Sequence, residues 1–406
     1  MTRLDRLTER LNLKEFQLRA LLDVTKAINN NLGQEELLRS FAHIMGEELG
    51  ITRLMLFTHA SEWQCVQSVG ADGAQHVDIR PFVERYREIR FIGAEHEKEL
   101  PDFDIIVPVY HREQPLAVLL IGDIDGSEQR MSPAVKHMNF IETLTNVIAV
   151  ALENRRLARQ ALAQERDKRE LELAAEMQQM LVPRDLPDDE RLQASAWYLP
   201  HRQVGGDYYD LIRRSEDEVV IAIADVSGKG MAAALLMSNF QATLRAKVLS
   251  ANEPLDDLVR DLNTNVMERA RSERFITLFI GLVDLRGGVM RYVNAGHNAP
   301  MLLCEKNIQE LTMGSIALGM LPELPFVQTG EVAMRDSTLL CYTDGLVEQE
   351  DNFGTPFDLA PLRKALLDFA PAGTQAVNEA VIATFEAHRA GVPYLDDIAL
   401  LTCRFA

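Results

Sequence analysis

Residues 219–230 read VVIAIADVSGKG. Six apolar residues, rich in Val and Ile, run into Asp225, and a turn containing Gly228 and Gly230 follows. A run this short, bounded by glycines, reads as a buried strand rather than a helix. The carboxylate at its end is held rigidly but faces an edge. Three other places set an aspartate near the end of a strand-like run: Asp207 in VGGDYYD (204–210) after the run at 193–199, Asp344 ending the run in CYTDGLVEQED (341–351), and Asp396 with Asp397 preceding the run in YLDDIALL (394–401). Lys229 in SGKG invites a phosphate-loop reading. That motif needs a glycine six residues before the lysine, where this chain has Ile223.

Several carboxylates at one edge repel one another unless a cation neutralises them. Hard oxygen donors without paired His or Cys point to Mg²⁺ or Mn²⁺. A pair of such ions can activate water and brace an in-line attack on phosphorus. The bland alternative for each residue is an Asp closing a turn.

Around these motifs, strands are expected at 193–199, 219–224, 275–285, 289–293, 301–304, 338–342 and 398–403. Helices are expected at 230–250, 254–271, 358–369 and 374–388. Antiparallel strands with helices in separate blocks make an α+β domain over 183–406, with two sheets between helices.

VGGDYYD, ADVSGKGMAAALLM (224–237), YVNAGHNAPMLL (292–303), CYTDGLVEQED and YLDDIALL occur in one order and spacing. Together they resemble the bacterial PPM (PP2C-like) serine/threonine phosphatases of the sporulation stage II E and stress-response regulator type. The resemblance covers about 180–404. It implies an αββα sandwich holding two Mn²⁺ or Mg²⁺ ions. By motif, Asp207, Asp225, Asp344 and Asp396 would be the catalytic metal ligands, with Asp225 bridging both ions. The Val226 carbonyl would add a ligand or orient a water. Asp397 would lie behind the site. Water activated by the ions would attack phosphoserine or phosphothreonine with no enzyme nucleophile.

Arg202 lies five residues before Asp207, near the offset of a phosphate-binding arginine in eukaryotic relatives, so it is a candidate substrate-binding residue. An ordinary surface arginine is the alternative. His297 in NAGHNAP is either a general acid or, as we prefer, the holder of a turn.

The N-terminal region reads differently. Residues 1–31 repeat leucine at helical spacing, and a second helix is expected over 34–49, ending at Gly50. Strand-like runs follow at 54–57, 63–68, 105–108 and 116–121, then a helix from about Ser132 through Leu152. LLDVTKAINNNLGQEELL (21–38), ITRLMLF (51–57) and DIIVPVYHREQPLAVLLIGDIDG (104–126) resemble, less specifically, a GAF sensor domain. That implies a small-molecule or protein signal. His43, His59, Cys65 and His76 have no metal-ligand spacing.

Between the two regions, residues 151–183 contain no Gly and are rich in strong helix formers. Their apolar seam is broken around 164–169. The segment is either half of a dimeric coiled coil or a solvated spacer helix. The expected organisation is therefore a GAF-like domain at 1–150, a helical linker at 151–182 and a phosphatase domain at 183–406.

Composition narrows the function classes. The net charge is −19, and residues 183–406 hold 32 Asp and Glu against 20 Lys and Arg. Such acidity argues against binding nucleic acid or anionic membrane. The four cysteines form no C-x-x-C pair, and the charged N-terminus lacks a signal-peptide core. A cytoplasmic homodimer is expected. The family's substrates suggest a phosphorylated STAS-domain protein as partner. A diguanylate cyclase would also show GGD, but Tyr-Tyr follows here instead of Glu-Phe. A catalytically inactive binding module is the alternative from another class.

Overall fold

A computed structural model of the chain describes residues 3–71, 77–92, 100, 103–122, 132–201, 203–250, 253–270 and 273–406. The chain divides into two units, Met1–Glu165 and Arg166–Ala406.

In the first unit, α1 (Arg3–Asn29) precedes α2 (Gln34–His43). Glu36 reaches back to the Gly33 N–H at 3.0 Å and closes the start of α2. The expected single helix over 34–49 is α-helical only to His43. Its last turn, Ile44–Glu48, is π-helical, and Gly50 follows at φ +74°. Then come β1 (Arg53–His59), β2 (Trp63–Val69), α3 (Arg80–Arg85), β3 (Arg90–Phe91), β4 (Ile105–His111) and β5 (Gln114–Gly122). The strands form one antiparallel sheet in the order β2-β1-β5-β4-β3.

The period-two alternation sorts the residues of this sheet onto two faces. Leu54, Leu56, Val107 and Leu119 pack with Phe41 and Ile148. Met55, Phe57, Ile106 and Leu120 pack with Phe82 and Val83.

The closing helix begins as α4 (Pro133–Lys136), capped by the Ser132 hydroxyl, and breaks at His137. It resumes as α5, Met138–Gln179, a continuous helix of 42 residues that leads from one unit into the other. The chain contains no Gly or Pro across this range, so nothing in the sequence interrupts the ladder.

The second unit contains β6 (Leu192–Leu199), β7 (Tyr208–Arg213), β8 (Glu218–Val226), α6 (Met231–Ser250), α7 (Leu255–Ala270), β9 (Ile276–Asp284) and β10 (Val289–Ala295). Next are β11 (Met301–Cys304), β12 (Asn307–Glu310), β13 (Gly314–Ser315), β14 (Gly330–Ala333) and β15 (Ser337–Tyr342). The unit closes with α8 (Asp344–Val347), α9 (Ala360–Phe369), α10 (Thr374–Arg389) and β16 (Ile398–Phe405). One sheet runs β13-β10-β9-β8-β7 with β14 also on β10, and the other runs β12-β11-β15-β16-β6.

Three cores define four layers. Ala222, Ala224 and Leu278 of the first sheet meet Met237, Leu244 and Leu262 of α6 and α7. Ile221, Ile223 and Phe279 meet Leu339, Cys341 and Leu401 between the sheets. Leu340 and Leu400 of the second sheet meet Leu366 and Phe385 of α9 and α10. The result is helices, sheet, sheet, helices.

Asp210, the second acid of VGGDYYD, is fully buried within this framework. It accepts two hydrogen bonds from Arg245, at 2.6 and 2.9 Å, and one from the Tyr208 hydroxyl, tying β7 to α6. Among the described residues, no helix is long and apolar enough to cross a membrane.

Candidate metal centre

The four acidic motifs converge at one end of the two sheets. Asp225 is the penultimate residue of β8, and Asp207 immediately precedes its neighbour β7. Asp396 and Asp397 immediately precede β16. Asp344 does not end a strand, as the sequence had suggested. Strand β15 stops at Tyr342, and Asp344 opens the short helix α8.

Burial and mutual repulsion dominate the electrostatics. Burial, then the charge of Asp225, pushes Asp207 well above the usual carboxylate range, while a hydrogen bond from Thr343 opposes the shift. Burial, then the charge of Asp344, raises Asp225 to about 7, and a shared hydrogen bond with Asp207 opposes this. Asp344 is raised by burial, then by the charges of Glu348 and Asp396. Asp397 is also raised by burial, although the Gly206 and His201 N–H groups hold it down in part. Groups that resist ionisation together favour a bound cation.

Glycine makes the close approaches possible. A Cβ at Gly345 would lie 2.0 Å from the Asp397 carbonyl oxygen. One at Gly206 would lie 3.0 Å from the Val226 carbonyl oxygen, so the missing side chain leaves that oxygen uncovered. Lys229 occupies part of the cluster. Its ammonium lies 2.7 Å from Asp396 Oδ2 and also donates to the Leu395 carbonyl.

Residues 215–406 match the family model of the stage II sporulation protein E. The matched stretch lies within the second unit, which is similar there to bacterial PPM-type phosphatases. The chain is 32% identical over 208 residues to protein IcfG of Synechocystis, covering 44% of this chain and 32% of that protein. It is 29% identical over 187 residues to phosphoserine phosphatase RsbU of Bacillus subtilis, covering 46% of this chain and 55% of that protein. The chain thus spans about a third to about half of these relatives' lengths. The SiaA-PP2C domain of Pseudomonas aeruginosa superposes with a TM-score of 0.54 at 22% identity, covering 61% of this chain and 99% of that one, which establishes the fold.

The donor set at this end of the sheets fits hard divalent cations: Asp207, Asp225, Asp344 and Asp396 offer only oxygen. The Tyr198 hydroxyl is buried without a hydrogen-bond partner among the described residues. It sits beside the charges of Asp207 and Asp397, where it is a spare donor for an incoming ligand. Among the described residues, no three His, Cys, Asp or Glu side chains are already arranged to hold an ion by themselves. Carbonyl oxygen, water and movement of Lys229 would have to complete the coordination.

Arg202 lies outside the described residues. His297 is buried, with Nδ1 2.8 Å from the Thr277 hydroxyl and its N–H donating to Asn294 at 2.8 Å. Burial lowers its pKa to about 4, and its backbone N–H bond to Asn294 fits the turn-holding reading, while its Nε2 is buried without a hydrogen-bond partner among the described residues.

Sequence reasoning had missed Gln178, Thr343 and Glu348. Glu348 stands one helical turn after Asp344, a spacing that places both acids on one face. Gln178 and Thr343 carry no sequence signal of their own.

Proposed function

We propose that this chain is a metal-dependent protein serine/threonine phosphatase using two Mn²⁺ or Mg²⁺ ions. The observation that carries this reading is the convergence of Asp207, Asp225, Asp344 and Asp396 at one end of the two sheets, with three of them raised by burial and by one another's charge. In this reading Asp225 would be the shared carboxylate ligand of the ions, with the Val226 carbonyl as a supporting oxygen. When bound, such ions make water nucleophilic and stabilise charge on the phosphoryl group. The chain's own groups hold the ions and orient the ester, and Asp397 fixes the loop before Asp207. Water adds to phosphorus, the serine or threonine oxygen leaves with a proton, and inorganic phosphate is the second product. Arg202 is the candidate contact for the phosphate.

The substrate we propose is a phosphorylated STAS-domain anti-anti-sigma factor, whose dephosphorylation would switch its partner. The first unit would act as a GAF-type sensor, with the unbroken helix α5 transmitting its state in a cytoplasmic homodimer. RsbU, by its name a phosphoserine phosphatase, supports the chemistry.

The test is Mn²⁺-dependent phosphate release from a phosphoserine protein. Asp225→Asn should lower turnover at least about 100-fold, the scale of lost catalytic electrostatics. Near wild-type turnover in this variant would sink the site. A second reading, an inactive binding module, draws on Lys229 lying against Asp396. It predicts no turnover by the wild type at any Mn²⁺ concentration.

A further inference from the structure

Gln178 is a buried glutamine in the last turn of a helix whose neighbouring residues Met177 and Gln179 are exposed. Its side chain makes two hydrogen bonds to one residue. The amide nitrogen donates to the Gly205 carbonyl at 2.6 Å, and the amide oxygen accepts from the Gly205 N–H at 3.0 Å. The pairing imitates one rung of a sheet ladder. It also fixes which amide atom is oxygen, since a flipped amide would face donor to donor and acceptor to acceptor.

Gly205 lies two residues before Asp207, and its Cα faces a close-packed side of the site. A Cβ there would lie 2.6 Å from the Tyr198 hydroxyl and 2.9 Å from the Asp397 carboxylate. The next residue, Gly206, donates its N–H to Asp397 Oδ2 at 2.6 Å. The segment leading into Asp207 is therefore gripped from two sides, by Asp397 and by Gln178. Asp397 belongs to the acidic cluster. Gln178 does not touch it, and no part of the reading above requires that residue.

We infer that Gln178 is a positioning residue for the metal centre, holding the backbone at Gly205 so that Asp207 is presented to the cation in one pose. The inference rests on the metal-centre reading above. An ion site gains affinity when its ligands are held before the ion arrives, and loss of an orienting hydrogen bond behind a ligand typically costs about 10- to 100-fold in metal affinity. Only a side chain of glutamine's length with both a donor and an acceptor can satisfy both backbone groups of Gly205. Methionine matches the length and offers neither, whereas glutamate keeps the acceptor alone.

Titration calorimetry with Mn²⁺ on the full chain tests this without measuring turnover. Gln178→Met should bind Mn²⁺ at least about tenfold more weakly than wild type. Gln178→Glu, which is isosteric and keeps one of the two bonds, should also bind more weakly, and Gln179→Met should bind as the wild type does. Thermal melts without metal identify variants that have lost their fold. A folded Gln178→Met or Gln178→Glu chain with wild-type Mn²⁺ affinity would overturn the inference. So would a melting temperature that falls while affinity stays constant, since Gln178 would then only support the fold. If the wild-type chain itself takes up no Mn²⁺, the metal-centre reading fails instead.

Discussion

The Thr343 hydroxyl donates a 2.7 Å hydrogen bond to Asp207 Oδ2, joining the residue before Asp344 to the carboxylate that precedes β7. Its oxygen also accepts the Ala399 N–H at 2.8 Å. One fully buried hydroxyl thus links the ends of three chain segments, 207, 343 and 399. Thr343→Val keeps the shape and removes these bonds. It should destabilise the domain by about 1–3 kcal/mol, the cost of leaving buried polar groups unpaired. Mn²⁺ affinity should fall with it. A denaturant melt and a metal titration measure the two effects, and wild-type values in both would show that the hydroxyl does not organise the site.

Asp396 and Asp397 are adjacent but differ in what they touch. Asp397 accepts the His201 N–H at 2.7 Å and the Gly206 N–H at 2.6 Å. Asp397→Asn turns one acceptor into a donor facing an N–H. It should appear mainly as lost stability of about 1–3 kcal/mol. Asp396→Asn should leave the melting temperature nearly unchanged while weakening Mn²⁺ binding at least about tenfold. The opposite pattern would exchange the roles of the pair.

The raised pKa of Asp225 gives stability a defined pH dependence in the metal-free chain. A carboxyl whose folded pKa is raised binds its proton more tightly when folded. Its stabilising contribution is complete below the ordinary aspartate range and is lost as pH rises through about 7. In the presence of EDTA, the wild type should therefore gain stability relative to Asp225→Asn between pH 8 and pH 5. Melting curves across that window decide the matter, and parallel pH profiles would show that Asp225 ionises normally.

In the proposed metal centre, Lys229 would compete for the place of a cation. Its ammonium must leave Asp396 Oδ2 before an ion can take that oxygen. The pair is partly exposed, so removing the competitor should have a modest effect. Lys229→Met should tighten Mn²⁺ binding by up to about fivefold, the scale of an exposed ion pair. Weaker binding in this variant would mean that the lysine supports the site instead.

The fold was largely legible because its strands are short Val- and Ile-rich runs between turns. The strand expected over 301–304 is β11, Met301–Cys304, and the helix expected from 374 is α10. Strand β7 was not expected, because its run YYDLIR is short and carries the charged Asp210 in its middle. The break at His137 was also missed, since nothing near it in the sequence marks a helix end. The acids that the structure brings together stand out in the sequence because Asp beside an apolar run is a local pattern. Gln178 and Thr343 do not, because their importance lies in partners 27 and 136 residues away.

Strand β16 lies between β15 and β6, and its residue Ile398 pairs with Leu199. Joining them closes a loop of roughly 200 residues, and contacts so distant in sequence form slowly and late. Asp207 lies just before β7 and Asp225 within β8, neighbouring strands joined by a short turn, whereas Asp396 arrives only when β16 is seated. A chain still folding can thus display half of the acidic cluster but not the whole. In the proposed reading, ion capture would mark completed folding, and an immature chain would be kept from acting before its last central strand is in place.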